Sequence, residues 1–306
     1  MQKKIILVIG ATGYLGSKVI NQLLEENVTI RALVRQSSDA SKLEALGVEI
    51  FRGDLTKKET LVAPLTGIDA VITTAIGYSN RKKGDSLKTV DDLGNKNLAD
   101  VSKTLKIPRF IFTGVLNAEM ASSVPHFWQK KQTEDYFDKI GLSYISIRPG
   151  AFINQDPKHD FFAKGIKQGK LKVIGTKTKK WTQVHVEDVA SYLAKSALDE
   201  TIPTGKINIG TNEPMSMEMM AEYIREYTGK PLKISVLPWG VVGNIMKIIG
   251  LFKPIYADAK KMFDFFFTGK YIANTTQQEQ IFGTPPTNKE SVFNYCKQLK
   301  LNKKKS

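Results

Sequence analysis

The sequence predicts an α/β protein with a doubly wound, mostly parallel sheet and a smaller C-terminal lobe. Three observations carry that expectation. Apolar runs and helical spacings alternate through the first half of the chain, which implies parallel strands covered by helices on both faces. A glycine triplet follows the first apolar run directly. After residue 150 the alternation loosens, as a separate lobe would require.

Residues 5–9 form a continuous apolar run, the mark of a strand buried on both faces. Residues 14–24 place Leu15, Val19, Ile20 and Leu23 at helical spacing. Further strands are expected at 28–34, 48–51, 70–73, 110–112 and 144–147, the last stopped by Pro149 and Gly150. The intervening helices are 41–46, 58–64, 91–105 and 128–139, with Leu93, Leu98, Val101 and Leu105 on the apolar side of the third. Later helices are expected at 161–167, 186–197, 217–227, 239–252 and 257–267. Later strands are expected at 181–185, 207–209 and 232–236. The expected division is a dinucleotide-binding domain over 1–150, its sheet completed by segments near 181–210, and a substrate-binding or lid region over 151–306. The basic tail at about 300–306 reads as disordered.

Composition narrows the classes. The 306 residues are 42% hydrophobic and 25% charged, ordinary for a globular protein of this size. A single cysteine, Cys296, permits no internal disulfide and suits a reducing, cytoplasmic compartment. The first apolar run is too short for a signal peptide and ends in glycine, so no targeting segment is expected. No apolar stretch reaches the length of a transmembrane helix. The net charge of +15 comes from 38 lysines and seven arginines, densest at 164–180 and 297–305. Such a scattered lysine excess suits a solvated surface, and no nucleic-acid partner is expected.

The sharpest motif is Gly10-Ala11-Thr12-Gly13-Tyr14-Leu15-Gly16, between an apolar strand and a helix. Gly10 permits the tight turn, Gly13 lets the backbone approach a diphosphate, and Gly16 lets the helix pack close to the sheet. The N–H groups at the start of the helix then face the anion. This is the phosphate loop of a Rossmann-type dinucleotide site. At the end of the second strand stands Arg35 with Ser37 and Ser38, where an NAD site usually has a carboxylate. A guanidinium there pairs with a 2′-phosphate, so NADP(H) is expected over NAD(H). Asp54 is placed to accept from the adenine amino group, with Leu55 on the ring. Thr74 and Ala75 leave room for the cofactor.

Together these residues resemble the atypical short-chain dehydrogenase/reductase superfamily, and within it the NmrA-like NAD(P)H-binding group, which is similar to isoflavone and quinone reductases. The resemblance rests on GATGYLG at 10–16, LVR at 33–35, GDL at 53–55, RFIFTG at 109–114, GLSY at 141–144 leading to IRPGAF at 147–152, and VHVEDVA at 184–190. It implies that Pro149 and Phe152 border the nicotinamide. It also implies a Tyr-x-x-x-Lys pair before the sixth strand; here the lysine falls on Lys130 and the tyrosine position on His126. The serine expected after the fifth strand is missing, where the chain reads Thr113-Gly114-Val115. Lys130 is therefore expected to bind the nicotinamide ribose and His126 to donate a proton, its ordinary pKa lying near neutrality. A solvent-facing loop histidine is the alternative for His126, and a surface charge beside Lys131 the alternative for Lys130. Asp188 reads as a helix N-terminal carboxylate. His159 and His185 have no metal-ligand spacing, and no metal is expected.

The apolar stretch from Trp239 to Phe267 reads as core, as a lid over an apolar substrate, as a membrane-surface helix or as a dimer contact. The expected function is an NADPH-dependent oxidoreductase that passes hydride to a small, largely apolar acceptor such as a quinone, enone or carbonyl compound. A non-catalytic NADP(H)-binding redox sensor with a protein partner is the alternative, and a nucleotide-sugar epimerase is less favoured because position 126 is not tyrosine.

Overall fold

A computed structural model describes residues 3–77, 84–154, 156 and 160–304. The strands are β1 (Lys4–Ile9), β2 (Val28–Val34), β3 (Glu49–Arg52), β4 (Ala70–Thr73), β5 (Arg109–Thr113), β6 (Ile145–Pro149), β7 (Ala151–Phe152), β8 (Lys170–Ile174), β9 (Gln183–Val184), β10 (Gly205–Ile209) and β11 (Lys233–Leu237). The helices are α1 (Tyr14–Leu24), α2 (Ser41–Ala45), α3 (Val62–Leu65), α4 (Asn95–Thr104), α5 (Pro125–Lys139), α6 (Ala163–Lys167), α7 (Val186–Leu198), α8 (Met217–Thr228), α9 (Trp239–Gly250), α10 (Pro254–Phe267), α11 (Thr276–Phe282) and α12 (Asn288–Gln298).

Seven strands form one sheet in the order β10-β6-β5-β4-β1-β2-β3. The pairs from β6 through β3 are parallel. Strand β10 follows β6 in the same direction, Gly205 N–H donating to Tyr144 O and Gly150 N–H to Ile209 O. The chain reverses its direction of travel across the sheet after β3, so the carboxyl ends of β1 and β4 flank the crevice where such sheets bind ligands. The expected doubly wound parallel sheet is borne out.

The chain divides into two compact units. One comprises residues 1–119, 125–148 and 187–207, and the other residues 120–124, 149–186 and 208–306. The division is not two consecutive blocks, because α7 and the start of β10 return to the first unit. The core of that unit centres on Phe137, whose ring meets Phe110, Phe112 and Tyr144 edge-on at 5.1–5.2 Å. In the second unit Trp181 stacks on Phe266, and Phe266 meets Tyr271 with the rings tilted at 30°.

Four expectations are corrected. Strand β9 pairs with β7 in a separate two-stranded sheet, so only β10 of the 181–210 segments completes the large one. The helix expected over 91–105 begins as a π-helical segment, Leu87–Gly94. Its wider turns break the 3.6-residue register, so Leu93 is exposed and Asp91 is buried in its place. Helix α5 starts at Pro125, three residues earlier than expected, with proline suited to a first helical turn. The tail is ordered over its described residues, 300–304: Leu299 before it is buried, Leu301 N–H donates to Cys296 O, and Lys304 N–H donates to Tyr227 O.

Candidate active site

Strand β1 is followed by Gly10 at φ +82°, and any Cβ there would lie 2.7 Å from Thr74 Oγ1. Gly13 N–H donates to Gly10 O at 2.9 Å, which closes the turn. A Cβ on Gly16 would collide with the Gly10 carbonyl, so α1 packs on the loop through a bare backbone. Thr12 and Gly13 are exposed, and Tyr14 and Leu15 are half-buried. No side chain caps α1 and its first turn has no acid. The result is an open cradle of backbone donors at the positive end of a helix.

Beside it, the ends of β2 and β3 line a cleft of about 370 Å³ that includes Arg35, Ser37, Arg52, Asp54 and Lys57. Three cations converge there. Arg35 Nη1 is held by both oxygens of Asp85 at 2.8 and 2.9 Å. Arg52 Nη1 donates to Ser38 O at 2.8 Å and so braces the turn after β2. Asp54 Oδ1 accepts from Thr56 N and Thr56 Oγ1. Burial pushes this carboxyl up, but the Thr56 hydrogen bonds outweigh it and hold the carboxyl below its ordinary range. Leu55 is buried and packs against Gly94.

At the carboxyl end of β4, Thr74 Oγ1 donates to Ile9 O, which ties this strand end to β1. The next residue meets the lysine of α5. Lys130 is 6% exposed, and its Nζ lies 3.4 Å from Ala75 O, 3.7 Å from Asp91 Oδ1 and 4.7 Å from the centre of the Phe112 ring. The alternative of a surface charge is thereby excluded. Burial depresses the Lys130 ammonium, and the nearby Asp91 and Glu134 only partly restore it. Asp91 is fully buried, and its Oδ2 accepts from Gly77 N–H at 2.6 Å. Burial raises its carboxyl despite the charges of Lys130 and His126. Both shifts run toward the neutral forms, as burial demands of a pair only partly compensated.

His126 is half-buried in the first turn of α5, one turn before Lys130 on the same face. Its ring meets Phe127 at 4.5 Å. One turn beyond Lys130, buried Glu134 accepts from Ser146 Oγ and Arg148 Nε and pairs with Arg148 Nη2. These side chains close over Gly114, where a Cβ would lie 2.5 Å from Ser146 Oγ. A serine therefore has no room at 114. The Thr113 hydroxyl is used by Thr73 O at 3.0 Å.

In the second unit Pro149 is buried, its carbonyl accepting from Tyr271 O–H, and Phe152 is half-buried in β7. Asp188 lies in the first turn of α7. His185 is buried, and His159 lies outside the described residues. Among the described residues, no group of potential ligands could hold a metal, and no helix is long and apolar enough to cross a membrane. Sequence reasoning missed Asp91. Its signal was a lone acid on the side of a helix otherwise read as apolar.

The model of the NmrA-like family matches residues 2–282. The photosystem II assembly factor Ycf39 of Cyanophora paradoxa is 40% identical over 143 residues, 47% of this chain and 44% of that protein. The chain thus spans less than half the length of that relative. The Guillardia theta protein of the same name is 28% identical over 251 residues, 81% of this chain and 78% of the relative. Among solved structures, Citrobacter sp. triphenylmethane reductase complexed with NADP(H) superimposes with a TM-score of 0.75 at 21% identity, covering 94% of this chain and 99% of that one. At that identity the likeness shows the fold.

Proposed function

The chain belongs to the NmrA-like family, and from that premise we propose that it binds NADPH and reduces a small, largely apolar acceptor. One observation carries the reading: an open glycine cradle at a helix N-terminus adjoins a cleft whose described lining includes Arg35, Arg52 and Lys57. Gly10, Thr12, Gly13, Tyr14, Leu15 and Gly16 hold the diphosphate. Arg35, with Arg52 and Lys57, meets the 2′-phosphate, and Asp54 faces the adenine. Thr74 and Ala75 border the nicotinamide half. Triphenylmethane reductase, complexed with NADP(H), shares the fold, and an NAD(P)H azoreductase of Xenophilus azovorans is 29% identical over 149 residues, 48% of each chain.

When bound, the dihydronicotinamide supplies a hydride. Lys130 binds the nicotinamide ribose, and Asp91 fixes the position of its amine. His126, on the same helical face, donates the proton that the reduced acceptor needs. Neither group requires a tyrosine. The cofactor-binding sensor remains a second reading, favoured by the engagement of Lys130 with Asp91 and Ala75 and by the likeness to assembly factors.

The test is NADPH consumption by the purified chain against quinones, enones and aldehydes, with Lys130→Ala and His126→Ala beside it. Turnover that falls at least about a hundredfold in Lys130→Ala, with NADPH still bound, supports the reductase. Tight NADPH binding with no turnover for any acceptor supports the sensor.

A further inference from the structure

Helices α9 and α10 form a hairpin in the second unit. One face of α9 is fully used: Trp239 packs on Phe263 and Phe267, Gly243 lies under the Trp239 ring, and Gly250 meets Ala257 across the turn. These positions recur at helical spacing and so define one side. The opposite side carries Val241, Ile245 and Ile248 at 58%, 50% and 62% exposure, and the stripe runs on into Leu251 and Phe252 at 79% and 83%. A core position would have covered these side chains. Pro254, Ile255 and Tyr256 continue the exposed surface into α10.

Charge distinguishes among occupants. Residues 238–257 contain Lys247 and Lys253, both exposed, and no acid. Lys261 follows, also exposed, while Asp258 is buried and Asp264 is tied to Lys260 and Trp239. A second copy docking here would set this cationic rim against itself, on a chain of net charge +15. An anionic surface is complementary to both. An apolar stripe with a lysine rim is also the arrangement by which a helix lies in a lipid interface, where apolar burial and headgroup attraction act as two signals.

We propose that the α9–α10 hairpin is a membrane-interface anchor: Leu251 and Phe252 at its tip, with Ile245 and Ile248 behind them, enter the acyl boundary, while Lys247 and Lys253 meet anionic headgroups. The hairpin does not span the bilayer. It holds the second unit at the surface, where apolar compounds concentrate.

The test is co-sedimentation of the purified full chain with phosphatidylcholine vesicles containing about one-third phosphatidylglycerol, beside vesicles of phosphatidylcholine alone. The variants are the charge-neutral pair Leu251→Asn/Phe252→Asn and, separately, Lys247→Gln/Lys253→Gln. Thermal unfolding verifies that each remains folded. The expected result is binding to the anionic vesicles that falls at least about tenfold in either pair and on phosphatidylcholine alone. Failure of the wild-type chain to sediment would overturn the anchor. So would sedimentation unchanged by Leu251→Asn/Phe252→Asn, which would leave only general attraction of a basic protein. A concentration-dependent dimer that this pair dissolves would assign the stripe to a second copy instead.

Discussion

Lys130 Nζ lies 3.7 Å from Asp91 Oδ1, and neither side chain is open to solvent. Removing one member leaves the other charge buried without its counterpart, which costs about 3–5 kcal/mol for pairs of this kind. Asp91→Leu and Lys130→Met should therefore each lower the unfolding free energy in urea by about that amount. Asp91→Leu combined with Lys130→Met should recover much of the loss, because no orphaned charge remains. A double variant that loses as much as the sum of the single ones would show that the two residues are not coupled.

Arg35 should decide between the two dinucleotides. Arg35→Ala should weaken NADPH binding about ten- to a hundredfold, the worth of a charge-assisted hydrogen bond, and leave NADH binding nearly unchanged. Asp85 competes for the same guanidinium, holding it with both carboxylate oxygens. Asp85→Asn should tighten NADPH binding several-fold. Calorimetric titration of both cofactors against the three proteins checks the pair of expectations together.

Gly16→Ala should fail in the phosphate loop, because the added methyl meets the Gly10 backbone rather than a movable side chain. The cost to stability should be about 1–3 kcal/mol, with NADPH affinity falling alongside. Gly67→Ala is a useful contrast. Its Cβ meets nothing, so its cost comes only from the left-handed backbone at φ +71°. Melting curves of the two variants separate crowding from backbone strain.

Asp54 gives a pH dependence of known sign. Its carboxyl is held below its ordinary value of 3.8 in the folded chain. The unfolded chain therefore binds the proton more readily, and the stabilisation is present above that value and lost as pH falls through the folded one. Asp54→Ala should cost about 1 kcal/mol at neutral pH, with the difference from wild type shrinking below pH 3.8. Urea unfolding at neutral pH and in acid measures both.

The first half of the fold was legible because its signals are local. The run at 5–9 is buried on both faces, and the helix expected at 14–24 has those bounds in the structure. What escaped detection depended on packing. In β8, buried Leu171 and Val173 alternate with exposed Lys170 and Lys172, a strand pattern hidden in a stretch read for its lysine density. Helix α12 carries a capping box between Thr287 and Glu290, a signal four residues long that composition obscured. At the site, the glycine loop follows from spacing, and Lys130 from the family resemblance. Asp91 does not, since only the π-helical turns bring an isolated acid inward to the lysine.

The central claim is that the glycine cradle and its cationic neighbour bind NADPH in preference to NADH. Equilibrium titration of the purified chain, followed by nicotinamide fluorescence, tests it most directly. Saturable NADPH binding at least about tenfold tighter than NADH binding is the predicted result. No saturable binding, or equal affinity for the two, would contradict it.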